Sequence, residues 1–315
     1  GKQLNAQDGS RRRCLQALVA AGLGGSGLLR TLPTLAQATP PSGFERALPL
    51  PPLLHGAPQD DGTLAYALHA GGGTSELVAG LRTPTWGYNG AVLGPTLVIP
   101  RGRAVDIAIR NGLPQGTTVH WHGAHVPGEM DGGPHDEIAP GTTWHTRFTL
   151  EQPGATLWYH PHPMNRTGAQ VYAGLAGLLL VDDGVDRELG LPHTWGVDDI
   201  PLILQDRRLA ADGTLVYMSS PTDLMGMQGN RLLVNGCEQP HLEVPAQWLR
   251  LRLLNGSNRR IYSLGFSDER IFYAVASDAG LLAQPVPLQR LRLYPAERAE
   301  ILVDLRSDQG RALVL

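Results

Sequence analysis

Cysteine and lysine are almost absent from this chain, and both absences limit what it can be. Its 315 residues include only two cysteines, Cys14 and Cys237, so a disulfide framework is excluded as the basis of the fold. Lys2 is the only lysine, which makes every later positive charge an arginine. No basic run occurs beyond the first 38 residues, so a nucleic-acid partner is not expected.

The first 38 residues have the pattern of an export signal. Residues 10–15 (Ser-Arg-Arg-Arg-Cys-Leu) resemble a twin-arginine motif, an apolar glycine-rich run follows, and residues 36–38 (Ala-Gln-Ala) form a small-x-small cleavage site. Glycines and Arg30 interrupt the apolar run, so it would be a poor permanent membrane span. The alternative to a cleaved export signal is an uncleaved membrane anchor. We therefore predict twin-arginine export, to the periplasm or beyond, with no stable membrane anchor after the signal is removed.

Removal of residues 1–38 changes the charge and leaves enough chain for two domains. It takes five of the 26 Lys and Arg residues and one of the 29 Asp and Glu residues, so 21 positive and 28 negative charges remain, a net charge of −7. Cys237 becomes the only cysteine, and an internal disulfide is impossible despite the oxidising destination. We predict an extended lead-in at 39–60, a first domain at 61–183, a linker at 184–199 and a second domain at 200–315.

Short apolar runs separated by glycine and proline turns predict an all-β fold. The predicted strands lie at 64–69, 95–100, 104–111, 117–121, 142–150, 156–159, 175–181, 200–206, 213–217, 231–234, 248–254, 271–276, 290–293 and 300–305. No long amphipathic helix is expected. In the run 249–253, leucine alternates with Arg250 and Arg252, which predicts that the leucines face the core and the arginines face solvent.

Two His-x-His pairs are the strongest functional signal. The first pair is His120 and His122, and the second is His160 and His162. Because residues i and i+2 of a strand share a face, each pair presents two imidazoles on one side. Imidazole binds copper, zinc, iron and nickel, so two such pairs side by side predict a cluster of neighbouring metal ions. Ordinary histidines in half-buried strands are the alternative.

The residues around these pairs resemble the copper motifs of a known family. Residues 120–123 (His-Trp-His-Gly) with 126–134 (Val-Pro-Gly-Glu-Met-Asp-Gly-Gly-Pro) are similar to the first copper motif of the multicopper oxidases, and residues 158–162 (Trp-Tyr-His-Pro-His) are similar to the second. Segments 167–171, 174–177, 195–201, 248–256 and 276–278 resemble the bacterial copper efflux oxidase and laccase-like branch. The likeness extends over nearly the whole chain after the signal.

This resemblance implies two cupredoxin-like Greek-key β-sandwich domains in tandem, in an enzyme of copper homeostasis or of the laccase type. It implies that His120 binds the type 2 copper, and that His122, His160 and His162 bind the type 3 pair of a trinuclear copper cluster. Asp131 would help to deliver protons as dioxygen is reduced to water. A plain turn residue is the alternative interpretation of Asp131.

The second half of the chain shows no metal-binding constellation of its own. Cys237 and His241 lack the second histidine that a blue-copper site requires, so Cys237 is interpreted as a buried structural thiol. Met225 and Met227 could be soft ligands of Cu(I), but we interpret them as loop or core residues.

The resemblance implies about eight ligands for the trinuclear cluster, of which four are found here. In the family, the other ligands and the cysteine of the type 1 copper site lie in a third, C-terminal domain. We therefore expect the sequence to be a fragment or a truncated product in which the third domain is missing and the type 1 site is absent. His125 and His135, near the first motif, are interpreted as solvated and not as further ligands.

Three functions are compatible with the sequence. The first is an exported multicopper oxidase that couples one-electron oxidation of Cu(I) or a phenol to four-electron reduction of dioxygen to water, inactive as a fragment. The second is a two-domain copper-binding protein without turnover. The third is a copper-free, division-associated relative that keeps the fold as an interaction scaffold, against which the four intact histidines argue.

Overall fold

The structure is a computed structural model that describes residues 40–315, so the predicted export signal at 1–38 lies outside the described residues. Strands form most of its regular structure. The strands up to residue 182 are β1 (Arg46–Ala47), β2 (Leu53–His55), β3 (Ala57–Pro58), β4 (Leu64–Ser75), β5 (Thr83–Tyr88), β6 (Thr96–Pro100), β7 (Ala104–Asn111), β8 (His120–His122), β9 (Thr143–Thr149), β10 (Ala155–His160) and β11 (Gly177–Asp182).

The later strands begin at residue 199, and the helices are short. The strands are β12 (Asp199–Arg207), β13 (Arg231–Val234), β14 (Cys237–Glu238), β15 (Pro240–His241), β16 (Trp248–Asn255), β17 (Tyr262–Leu264), β18 (Phe272–Ser277), β19 (Gly280–Leu288), β20 (Leu291–Leu293) and β21 (Arg298–Asp304). The helices are α1 (Thr167–Ala173), α2 (Val185–Glu188) and two 3₁₀ helices, Gly128–Met130 and Pro221–Met225. The predicted all-β class is confirmed. Within residues 40–315, no helix is both long and apolar enough to cross a membrane.

The first half of the structure consists of two sheets that face each other. One sheet has the strand order β2-β6-β11-β10-β8, and the other has the order β3-β4-β7-β9 with β5 paired to β4. Alternate side chains of β7 and β10, such as Ile107, Ile109, Leu157 and Tyr159, are buried in one apolar cluster between the sheets. Full burial of such a side chain contributes about 1.5–3 kcal/mol, so this core holds β8 and β10 firmly in place.

The second half is built on a seven-stranded sheet with the order β14-β13-β12-β16-β21-β18-β19. The short sheet formed by β17 and β20 contributes Tyr262 and Leu293 to the same apolar cluster as Leu253 and Phe272. A separate cluster joins the two halves, because Trp158 and Leu178 of the first half share it with Ile203 and Leu254 of the second. The second half is therefore packed directly against the sheet that carries β8 and β10.

Several predicted strands differ from those observed. The predicted strand at 213–217 is wrong, because the side chain of Asp212 accepts a hydrogen bond from the backbone of Thr214 (3.0 Å) and closes a turn there. Strands β5 and β19 were not predicted. The segment 39–60 is more than a surface lead-in, since β2 adds an edge to the first sheet through parallel pairing with β6. The domain and linker boundaries stay predictions.

The prediction that Arg250 and Arg252 face solvent is also wrong. The alternation in β16 is real, but both arginines are buried, with 3% and 6% of their surface exposed. Arg250 pairs with Glu300 (2.6 Å), and Arg252 pairs with Asp199 (2.7 Å) and Glu300 (3.1 Å). Buried charges are tolerated only when they are paired, and these partners lie on strands that pairing brings beside β16.

Candidate metal centre

Two adjacent strands carry three of the histidines that the sequence predicts as ligands, and His162 follows the second strand. Strands β8 and β10 pair in antiparallel fashion, and this register places His160 opposite His120. Trp121 and Tyr159, which have the opposite side-chain direction, are both fully buried in the core of the first half. The apolar residues thereby determine which face of the sheet the histidines occupy.

All four predicted ligands lie close together. The ring centroid of His120 is 5.6 Å from that of His122, 5.3 Å from that of His160 and 5.4 Å from that of His162. The rings of His122 and His160 are 5.4 Å apart, and those of His160 and His162 are 6.1 Å apart. One ring nitrogen from each of His120, His122 and His160 lies within 4.8 Å of the other two, which is a spacing that could hold a metal ion.

Backbone carbonyl groups orient two of the rings. The Nδ1 atom of His120 lies 3.0 Å from the carbonyl oxygen of Asp131, and the Nδ1 atom of His160 lies 2.8 Å from the carbonyl oxygen of Pro161. When Nδ1–H donates to a carbonyl group, the lone pair of Nε2 is left for a metal or another acceptor role. The geometry therefore favours Nε2 as the ligand atom in both residues.

The other two histidines have nitrogens without an ordinary protein partner. The Nδ1 atom of His122 faces the Nε2 atom of His160 at 3.2 Å. The backbone N–H of His162 donates to the hydroxyl of Thr118 (2.7 Å), but its buried Nδ1 atom has no hydrogen-bond partner among the described residues. A buried polar atom is normally paired, so an unpaired ring nitrogen beside three other imidazoles fits a metal ligand.

Burial keeps two of the imidazoles neutral. Desolvation lowers the pKa of His160 to about 3, and it lowers the pKa of His122 to about 4 with a further contribution from the positive charge of Arg298. Both rings are therefore uncharged at neutral pH, which is the form that binds metal ions.

Asp131 lies beside the first histidine of the cluster. It ends the 3₁₀ helix Gly128–Met130, and its Oδ1 atom is 3.2 Å from Nδ1 of His120. Burial raises the pKa of the Asp131 carboxyl group, and the proximity of His120 acts in the opposite direction. Asp131 is therefore a turn residue that lies beside the histidine cluster, and its role in proton delivery stays a prediction.

Three further residues, which no sequence motif predicts, support the cluster. Thr118 holds the backbone of His162. The ring of Trp158 lies 4.1 Å from that of His160 and 5.2 Å from that of His122, measured between centroids. Arg298 occupies the space beside Gly123, where a β-carbon would come within 2.7 Å of its Nη2 atom.

Period-two spacing in the strands could have identified Thr118 and Trp158, because each precedes a cluster histidine by two residues. No local pattern could have identified Arg298, which comes from β21 in the second half.

The structure does not bring the other candidate residues into this cluster. His125 and His135 are exposed, in agreement with their interpretation as solvated. Cys237 is a buried free thiol whose pKa is raised by burial. Met225 is 76% exposed, whereas Met227 is buried, so the two do not share one environment.

Comparison with known proteins places this geometry in a family. Residues 69–186, which include all four histidines, match the family model for multicopper oxidases. The chain is similar to a laccase-like multicopper oxidase, CueO, from Ochrobactrum sp., with 42% identity and a TM-score of 0.78 over 85% of this chain and 62% of that one. It is similar to a laccase from Pediococcus acidilactici, with 39% identity and a TM-score of 0.81 over 86% of this chain and 59% of that one. The predicted tandem cupredoxin-like fold is confirmed by these likenesses.

The curated relatives that the chain matches are named as cell division proteins and not as oxidases. The chain is 43% identical over 305 residues to the cell division protein FtsP of Sodalis glossinidius, and 40% identical over 299 residues to FtsP of Salmonella typhimurium. These matches include 96% and 94% of this chain, and they span 61% and 60% of the relatives' length. The matched family model, the copper-motif residues and the solved oxidases of the same fold agree with each other. Residues 69–186 of this chain therefore form a multicopper oxidase domain, and the chain as a whole is similar to laccase-like multicopper oxidases.

Proposed function

We propose that this chain is the copper-binding part of an exported multicopper oxidase. His120 binds the type 2 copper, and His122, His160 and His162 bind the type 3 pair, so the chain supplies half of the ligands of a trinuclear cluster. The observation that carries the proposal is the convergence of four imidazoles, three on β8 and β10 and that of His162 just after β10, with ring centroids between 5.3 and 6.1 Å apart in the measured pairs.

The chemistry of these residues fits copper. All four donors are imidazole nitrogens, which suit copper, and His122 and His160 are neutral because they are desolvated. The carbonyl groups of Asp131 and Pro161 hold two of the rings in one orientation. The cluster therefore needs neither a large side-chain rearrangement nor the loss of protons from these two rings before it binds a metal ion.

The bound copper would supply the one-electron redox chemistry by which electrons from Cu(I) or a phenol reach dioxygen. The chain's own residues orient the ligand histidines, exclude water and supply protons. Trp158 covers His160 and His122 with an apolar ring. Asp131, whose pKa is raised by burial, is placed to hold a proton close to His120 and to release it as dioxygen is reduced to water.

Copper retention tests the proposal directly. The purified chain, loaded with copper and then dialysed, should retain copper that is measurable by mass spectrometry of the metal. The double variant His120→Ala/His160→Ala should lose this copper, whereas His135→Ala, which changes an exposed histidine nearby, should retain it. Equal copper contents in the two variants would contradict the assignment of the ligands. Dioxygen consumption with Cu(I) or a phenol, measured on the product of the complete gene, tests the oxidase activity itself.

The names of the curated relatives favour a second candidate, a scaffold that acts in cell division. FtsP proteins of several bacteria are 40–43% identical to this chain. In this case the fold would serve a partner protein, and copper would not be required. Complementation of a host strain that lacks the gene separates the two functions. Full rescue of normal cell length by His120→Ala/His160→Ala would favour the scaffold, and rescue by the wild-type chain alone would favour the copper function.

A further inference from the structure

An open pocket of about 360 Å³ lies in the second half of the structure, and none of the four histidines lines it. Three segments form this pocket, which we call the arginine pocket. They are Arg208 directly after β12, the loop 222–230 that includes the end of the 3₁₀ helix Pro221–Met225, and Arg259 and Arg260 after β16.

Arginines outnumber carboxylates around the arginine pocket. Arg208, Arg259 and Arg260 line it, and Asp223 is the only acidic residue among the lining residues. A second carboxylate, that of Asp206, lies beneath the pocket and accepts a hydrogen bond from Nε of Arg260 (2.8 Å). The two aspartates can therefore neutralise only two of the three guanidinium groups.

A fourth arginine, Arg207, lies next to the pocket wall but does not line the pocket. Arg207 is buried, and its backbone packs against Gly229 of the pocket wall. Its guanidinium group donates to two backbone carbonyls and lies 4.6 Å from the ring centroid of Tyr172, without an ion pair to a carboxylate among residues 40–315. The three lining arginines, set against Asp223 and Asp206, thus leave the site with a local excess of one positive charge in a chain that is acidic after residue 38.

Some of the pocket's hydrogen-bond donors are already engaged, and others are free. Arg208 donates to both carboxylate oxygens of Asp223, at 3.2 and 3.3 Å. Arg260 donates through Nε and Nη2, whereas its Nη1 has no hydrogen-bond partner among residues 40–315. The guanidinium group of Arg259 has no hydrogen bond or ion pair to any described residue, although its alkyl stem packs along Gly226. The side-chain amides of Gln228 and Asn230 are also unengaged within the described part of the chain.

We propose that the arginine pocket binds a small oxyanion, a phosphate or carboxylate group, through Arg259, the free Nη1 of Arg260 and the amides of Gln228 and Asn230. A guanidinium group presents two parallel N–H donors that match two oxygens of such a group. The local positive charge attracts the anion, and Asp223 does not repel it strongly because Arg208 neutralises it. This site is separate from the histidine cluster and does not depend on copper.

Isothermal titration calorimetry with inorganic phosphate and, separately, with citrate tests the proposal on the purified chain. At least one of the two anions should bind at one site per chain, and the preference between them identifies the chemical group that the pocket accepts. Arg259→Glu replaces the free cation with an anion and should weaken binding at least about tenfold. Arg259→Gln keeps the polarity and should weaken binding less. Both variants should fold, because Arg259 is exposed and forms no ion pair.

Arg292→Glu is the matched control, because Arg292 is an exposed arginine of β20 outside the pocket. It makes the same change in net charge and should leave the affinity within about twofold of the wild-type value, since an exposed charge farther away is screened by salt. Absence of binding by both phosphate and citrate would overturn the proposal. Equal losses in Arg259→Glu and Arg292→Glu would also overturn it, because the binding would then reflect net charge alone.

Discussion

The hydroxyl group of Thr156 donates a 2.7 Å hydrogen bond to Oε1 of Glu300, and this contact joins the histidine-bearing strand β10 to the second half of the structure. Arg252 donates to the same hydroxyl (2.9 Å), and Nε of Arg298 donates to the carbonyl oxygen of Thr156 (3.2 Å). Thr156 shares its face of β10 with Trp158 and His160, because the three residues are spaced by two. The second half therefore holds the same face of the strand that presents His160.

Replacement of Thr156 with valine should destabilise the protein by about 1–2 kcal/mol, because it removes one buried hydrogen-bond partner of Glu300 and Arg252 while it keeps the shape of the side chain. Urea denaturation followed by circular dichroism measures the change. Thr149→Val, in an exposed position of β9, is the control and should change stability by less than about 0.5 kcal/mol. Equal effects of the two substitutions would show that the Thr156 contact contributes nothing specific.

Glu300 should make the stability of the protein sensitive to acid. Burial alone would raise its pKa, but Arg250 and Arg252 outweigh burial and lower the pKa from 4.5 to about 2. A carboxyl group with a lowered pKa contributes stability that is complete above the unfolded-state pKa and is lost as the pH falls toward the folded-state pKa. We therefore expect stability to fall between about pH 4.5 and pH 2.

Glu300→Gln should remove part of this pH dependence. At pH 7 it should cost about 3–5 kcal/mol, because Arg250 and Arg252 lose a buried partner. The decrease in melting temperature from pH 5 to pH 3 should be smaller in the variant than in the wild type. Glu243→Gln, at an exposed position, should keep the wild-type slope. Parallel slopes for Glu300→Gln and the wild type would contradict the assignment.

Gly132 controls the backbone that leads into the first histidine pair. Its φ is +69°, and an added β-carbon would collide with the carbonyl oxygen of Val119, directly before His120. Gly132→Ala should therefore destabilise the protein and displace β8. Gly141 has a similar φ of +76°, and no atom of the described residues lies within 4 Å of the position that its β-carbon would take, so Gly141→Ala bears the backbone strain alone.

We expect Gly132→Ala to cost at least about 2 kcal/mol more than Gly141→Ala, since the collision adds to a backbone strain of about 1 kcal/mol that both share. Thermal or urea denaturation of the two variants measures the difference. Equal costs would mean that the loop after the 3₁₀ helix Gly128–Met130 can move away from Val119 without loss.

Asp131→Asn tests how the carboxyl group affects the candidate metal centre. If the carboxylate helps to orient His120, as its 3.2 Å approach to Nδ1 indicates, copper affinity should fall about 10- to 100-fold without loss of the fold. Competition with a chelator of known copper affinity measures the change. Asp60→Asn, at an exposed position, should leave the affinity unchanged. Unchanged affinity in Asp131→Asn would remove Asp131 from the set of orienting residues and leave only its backbone carbonyl in that role.

Much of the fold and the centre of the site could be predicted from local patterns. The strand at 104–111 and the strand at 231–234 agree with β7 and β13, because a run of apolar β-formers between turn residues specifies a strand locally. Strands β2, β5 and β19 were missed. Short or glycine- and proline-rich segments become strands only when a partner strand offers hydrogen bonds.

The sequence by itself determined that the two histidines of each His-x-His pair share one side of the chain, and the pairing of β8 with β10 brought the two pairs together. Strand periodicity assigns each pair to one face, and buried Trp121 and Tyr159 assign that face to the side away from the core. Only the tertiary structure decided that Arg250 and Arg252 are buried, that Arg298 lies beside Gly123 and that Arg208, Arg259 and Arg260 line one pocket. These contacts join segments that are far apart in the chain. A charged side chain is buried only if distant carboxylates or carbonyl groups meet it there, and local periodicity contains no information about such partners.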